Sequence, residues 1–172
     1  MRIEAFELGV HHVRPLAAED GPALQVLFER DPGHFEAIQG APPGPAEAQS
    51  AFSNLPPGAG YEQKVLLGVF AGADELLGVV DLVADHPEPG RWACGALFLD
   101  PAIRRRGVAS ALADQLRTVL VAARAIEVRA RAGHHAGGLA ATAFQASVGF
   151  VPAPDRRDDA VVLDLGSSRS AT

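Results

Sequence analysis

A strand, a short arginine-rich loop and a long helix follow one another between residues 92 and 124. That succession narrows the choice of folds more than anything else in the chain. Trp92 to Leu99 is an apolar run of strand character. Val108, Leu112, Leu116, Val119 and Ala123 then recur at helical spacing, leaving Asp114, Arg117 and Arg124 to face out. The spacing predicts a helix over 108–124. Between the two lies Asp100-Pro101-Ala102-Ile103-Arg104-Arg105-Arg106-Gly107. The first turn of a helix leaves backbone N–H groups unpaired, and its dipole adds partial positive charge. Such a terminus suits an anion. Gly107 and Ala109 carry little or no side chain, so a diphosphate can approach the backbone, and the arginines add charge at the rim. The residues alone leave two readings open, an anion site or a basic surface loop ahead of an ordinary helix.

The other elements arrange themselves around this one. Val10 to Leu16 reads as a first strand and Ala23, Leu24, Leu27 and Phe28 as the stripe of a helix. Short helical segments are expected at 34–38 and 46–52, separated by proline-rich breaks that belong to one domain. Lys64 to Phe70, Leu76 to Ala84 and Trp92 to Leu99 predict three strands in a meander. After the long helix come a strand over 125–132, a loop over 133–138, a helix over 139–148, and a last pair of strands at 150–151 and 160–165. This order predicts a single α/β (α+β) domain over 1–165 with helices on the faces of its sheet, and a disordered tail over 166–172.

Composition removes several function classes. The net charge is -6, and Arg104-Arg105-Arg106 is the only local basic cluster, so no nucleic-acid partner is expected. No apolar run approaches the roughly 18 residues of a membrane helix, so no membrane partner is expected either. Residues 1–9 carry Glu4 and Glu7 and have no apolar core of a signal peptide. The single cysteine, Cys94, allows no internal disulfide and fits a cytoplasmic location. Neighbouring histidines, His11-His12 and His134-His135, point to opposite faces if they lie on strands and lack companions at ligand spacing, so no metal is expected.

Arg104-x-x-Gly107-x-Ala109, placed after Leu97-Phe98-Leu99 and Asp100-Pro101 and before the long helix, resembles the motif of the Gcn5-related N-acetyltransferase (GNAT) family. Arg14-Pro15-Leu16 with Asp20, and Gly149-Phe150, are similar to that family's opening and late signatures, and the order of elements matches over roughly residues 10–165. The resemblance implies a mixed, mostly antiparallel sheet whose fourth and fifth strands, here 92–99 and 125–132, splay into a V-shaped cleft. It implies acetyl-CoA as co-substrate, with Leu97, Phe98 and Leu99 pairing with the pantetheine arm. Arg104, Arg105, Arg106, Gly107, Val108, Ala109 and Ser110 form the loop that holds the pyrophosphate. It implies acetyl transfer to a primary amine, on a small molecule or a peptide, by direct attack in a ternary complex. A homodimer is common among such proteins.

The resemblance thins at the catalytic groups. Aligned on Gly149-Phe150, the family's usual Tyr position holds Gln145, which can hydrogen-bond to sulfur but cannot act as an acid. The first half of the 92–99 strand, Trp92-Ala93-Cys94-Gly95, has no carboxylate. Asp81, between Val80 and Leu82, is then the candidate base, or else a carboxylate on an exposed strand face. Asp85, His86 and Glu88 read as turn residues, Cys94 as a small core residue and Trp92 as packing. His34 and Phe35 line the acceptor side or belong to an ordinary helix. These gaps keep a non-catalytic acyl-CoA-binding module as the alternative function.

Overall fold

The computed structural model describes residues 3–132, 138–154 and 159–166. The expected loop over 133–138, with His134-His135, and the tail beyond Gly166 fall outside them almost entirely. Eight strands make one sheet: β1 (Phe6–Leu8), β2 (His11–Pro15), β3 (Lys64–Ala71), β4 (Glu75–Val83), β5 (Arg91–Leu99), β6 (Glu127–Arg131), β7 (Val151–Pro152) and β8 (Ala160–Asp164). The helices are α1 (Gly21–Glu29), α2 (Pro32–Gln39), α3 (Glu47–Ser53), α4 (Val108–Ala122) and α5 (Gly138–Ser147).

The strand order is β1-β2-β3-β4-β5-β6-β8-β7, antiparallel throughout except for the β5–β6 pair. The expected elements therefore form, with one addition. Residues 6–8 pair with 11–13 to make a hairpin, and Val10 sits at its tip, 88% exposed, rather than starting a strand. Three residues on either side of a two-residue turn give too short a pattern to register as a strand.

Alternation along the strands separates two cores. Leu67, Val69, Val80, Leu82, Trp92 and Val128 pack against Leu112 and Leu120 of α4 on one face. Leu66, Phe70, Val79 and Phe98 pack against Leu24, Leu27 and Phe28 of α1 and Ala48 of α3 on the other. Burying a large apolar side chain on either face contributes about 1.5–3 kcal/mol, so both faces of the sheet are committed to helices.

The strands that flank α4 do not stay together. β5 pairs with β6 only from Arg91↔Glu127 to Cys94↔Ala130. Among the described residues no strand covers 95–99 on that side. The splay expected of 92–99 and 125–132 is this parting.

Candidate functional site

The parting of β5 from β6 leads directly into the loop and the start of α4. Gly95 and Ala96 are exposed although they lie in a central strand of the sheet. The β4–β5 register also slips here: Asp81 faces Ala96 while Leu82 faces Cys94, so Gly95 is the extra residue of a bulge. Among the described residues the backbone edge of 95–99 turned away from β4 has no strand partner.

The loop after β5 is fixed from below. Asp100 is buried, accepts the Ala102 N–H at 2.8 Å and accepts Arg30 Nη1 at 2.8 Å. Burial alone would raise its carboxyl, but the hydrogen bonds from Arg30 and Ala102 and the charges of Arg30 and Arg104 outweigh that and hold it below the ordinary range. Ile103 plugs the loop into a small core with Leu77 and Leu99. Arg104 turns inward: its Nε donates to the Leu99 carbonyl at 2.7 Å and its Nη1 reaches Asp31 Oδ2 at 2.6 Å. Its guanidinium also lies over the Phe98 ring, 5.4 Å from the centroid. Arg105 and Arg106 are exposed instead. The motif's first arginine thus braces the loop, and the next two face solvent.

Gly107 has φ +79, a left-handed conformation at the residue before α4 that suits glycine. No side chain caps this terminus and no acidic residue sits in the first turn. The first helical bond runs from Ala111 N to Gly107 O, at 3.0 Å. The N–H groups of Val108, Ala109 and Ser110 therefore project together, as an anion site requires. Beside them a hollow of about 390 Å³ separates Arg106, Gly107 and Val108 from the β1–β2 tip.

On the opposite face of the sheet lies Asp81. Its carboxylate is held by Lys64, whose Nζ is 2.7 Å from Oδ1 and 2.9 Å from Oδ2 and also donates to the Asn54 carbonyl at 2.8 Å. Lys64 is the chain's only lysine, and its side chain is 7% exposed. Burial pushes the Asp81 carboxyl above its ordinary value, partly offset by the hydrogen bond and charge of Lys64. A Cβ on Gly95 would lie 3.1 Å from Asp81 Oδ2, so glycine is what lets the carboxylate come up against the bulge. The Cys94 thiol is pushed up to about 12, by burial first and then by the Asp81 charge, which leaves no thiolate at neutral pH.

Gln145 on α5 donates from Nε2 to the Arg131 carbonyl at 2.8 Å, tying α5 to the end of β6. Its Oε1 is buried without a hydrogen-bond partner. A hollow of about 650 Å³ opens at the last β5–β6 rung, lined by Ala93, Cys94, Arg129 and Arg131 with His86 and Asp159 at its border. His34 meets Phe98 edge-on at 4.9 Å and Phe35 at 5.4 Å, and burial lowers its pKa. It joins the aromatic packing beneath β5 and lines neither hollow. His12 stacks on Phe70 at 5.2 Å, and among the described residues no group of three or more His, Cys, Asp or Glu gathers around a metal position. Asp85 accepts the Gly90 N–H at 2.8 Å, a turn role. Trp92 is 1% exposed, a packing role.

Sequence reasoning missed Lys64, Gly95, Arg129 and Arg131. A sole lysine at the start of the β3–β4 hairpin, with Asp81 the one acid within the Leu76 to Ala84 apolar run, was a usable signal for the first. A bulge and the facing of β6 depend on pairing that one strand's sequence does not display.

No curated protein matches the chain. Among solved structures it resembles a probable acetyltransferase (GNAT family) from Chromobacterium violaceum, at 19% identity and a TM-score of 0.74, covering 96% of this chain and 88% of that one. An acetyltransferase from Thermus thermophilus is similar at 19% identity and a TM-score of 0.71, covering 92% and 99%. The PaiA N-acetyltransferase from Thermoplasma acidophilum, in complex with coenzyme A, is similar at 15% identity and a TM-score of 0.61, covering 88% and 96%. These likenesses concern the fold. The model of the Acetyltransferase (GNAT) family matches residues 33–150, which include β3 to β6, the loop before α4, and α4 and α5. The chain belongs to the GNAT acetyltransferase family.

Proposed function

We propose that this chain is an acyl-CoA-dependent N-acyltransferase that moves acetyl from acetyl-CoA to a primary amine. The observation that carries the reading is the parting of β5 from β6 beyond the Cys94–Ala130 rung, which runs straight into the uncapped N-terminus of α4. A diphosphate sits on the N–H groups of Val108 to Ser110, with Arg105 and Arg106 at the rim. The pantetheine arm pairs with the open edge of Leu97 to Leu99, and the thioester comes to rest beside Gly95. Arg104 acts on this site through the loop that it braces.

The amine nitrogen attacks the thioester carbonyl directly. A β5 backbone amide polarises the carbonyl oxygen as charge builds there. The C–S bond breaks, the new C–N bond remains, and CoA leaves as a thiolate that takes its proton from solvent. Asp81 receives the ammonium proton, directly or through one water, because it is the carboxylate that meets the bulge. Lys64 keeps that carboxylate ionised despite its burial and ties it to the end of α3. Gln145 Oε1, left without a partner, accepts a hydrogen bond from the bound donor.

Thiol release from acetyl-CoA in the presence of a broad amine panel tests the reading. Amine-dependent release is expected. CoA binding without release across the panel would favour the second reading, a non-catalytic acyl-CoA-binding module, which rests on glutamine in place of an acid at position 145.

A further inference from the structure

We infer that the amine acetylated here carries a carboxylate within a few bonds of its nitrogen, and that Arg129 and Arg131 receive it. The inference rests on the transfer reading above and names its acceptor. Asp81, Val83, Ala93 and Arg129 share one face of the sheet, because Ala93 stands opposite both Val83 and Arg129. Arg131 is two residues further along β6 and so faces the same way. The hollow of about 650 Å³ at the fork is on this face. An amine held there lies at the Cys94–Ala130 rung, one residue short of the bulge at Gly95 that Asp81 meets.

The charge of that hollow is unlike the rest of the chain. The whole sequence carries -6, yet among the described residues two guanidiniums line the hollow against the single carboxylate of Asp159, with His86 beside them. Arg129 and Asp159 each already engage other groups, so their charges are partly answered. Arg131, at the exposed end of β6, adds a second cation, and its planar fork matches a carboxylate. The span also fits. Arg129 is two residues back from Gly95 and one strand across, a Cα separation of roughly 8 Å at about 3.3 Å per residue and about 4.8 Å between strands. With side chains reaching inward, a molecule of amino-acid size bridges the guanidinium and the thioester. The transfer is balanced as before: nitrogen gains the acetyl group, sulfur leaves with the electron pair of the C–S bond, and Asp81 passes the amine's proton to water.

Two sources supply this chemistry, a free amino acid and a peptide whose first residue is acidic. The test is thiol release from acetyl-CoA with matched pairs. Free amino acids are compared with their amides, and peptides beginning with Asp or Glu with those beginning with Asn or Gln. Carboxylate-bearing acceptors are expected to win by about tenfold or more in kcat/KM, the worth of a charge-assisted bond, and the winning pair identifies the source. Arg131→Gln is expected to remove that preference through KM while leaving the KM for acetyl-CoA unchanged, with Arg129→Gln as the second variant. Equal use of acid and amide, or an equal loss on both in Arg131→Gln, overturns the inference. Absence of thiol release with every acceptor defeats the transfer reading instead. The hollow is then tested by calorimetry of glutamate and acidic peptides against the desulfo-CoA complex. Binding that depends on Arg131 upholds the carboxylate site at the arginines, and no binding overturns it.

Discussion

Leu97 to Ser110 and the Lys64–Asp81 pair flank the same parting of strands, yet they are built differently. The first offers backbone: an open strand edge, a glycine in a left-handed conformation and three helical N–H groups. Its side chains mostly serve the loop itself, as Arg104 does with Leu99 and Asp31. The second offers side chains: one carboxylate and one ammonium, with two arginines of β6 on the same sheet face, drawn from three separate stretches of chain. A donor common to many reactions can be held by backbone geometry, which tolerates sequence change. An acceptor peculiar to one reaction needs particular side chains, which leave no motif.

That contrast can be broken most sharply at Asp81. Asp81→Asn is expected to lower kcat/KM by about 10²- to 10⁴-fold, the range for a lost general base, with acetyl-CoA affinity unchanged by calorimetry. A comparable loss of acetyl-CoA affinity would mean the two regions are not separable. Ser110→Glu is the converse. It sets a carboxylate on the exposed first turn of α4 and should weaken acetyl-CoA binding by about 100-fold through like-charge repulsion. The melting temperature should hold or rise, because an acid there favours the helix dipole. Unchanged affinity would remove α4 as the diphosphate site.

Lys64→Met sharpens the acceptor side. Without the ammonium, the Asp81 pKa rises further, so the acidic limb of kcat/KM should move to higher pH. Lys64→Arg should restore it. A uniform fall in rate with the limb in place would reduce Lys64 to a packing role. The smallest effect is on stability. Asp100 has its pKa lowered in the folded chain, so its contribution is present above its ordinary value near 4 and is lost as pH falls through the folded value. Asp81 has its pKa raised, so its contribution is present below that ordinary value and is lost as pH rises through the folded one. Asp100→Asn should therefore cost about 1–3 kcal/mol at pH 7, and less as pH falls through the folded value. Asp81→Asn should show the opposite trend, with both read by thermal melts across pH.

The loop proposed to hold the donor was legible in the sequence because its signals are local. Apolar period, the Asp100-Pro101 turn, Gly107 and the small Ala109 lie within eighteen residues of Trp92, and they placed strand, loop and helix nearly at their observed bounds. Asp81 was legible only as an oddity, an acid in an apolar run. Its meaning came from Lys64, seventeen residues earlier, and from the bulge at Gly95 that brings the carboxylate to the cleft.

By itself, then, the sequence determined the elements, their order and the glycine-led start of the long helix, because hydrophobic periodicity and helix-end chemistry act over a few residues. Tertiary structure alone decided where β5 parts from β6, which way Arg104 turns, and that Arg129, Arg131 and Asp81 share a face. Those depend on register and packing between segments far apart in the chain, and a one-residue slip would reverse each of them.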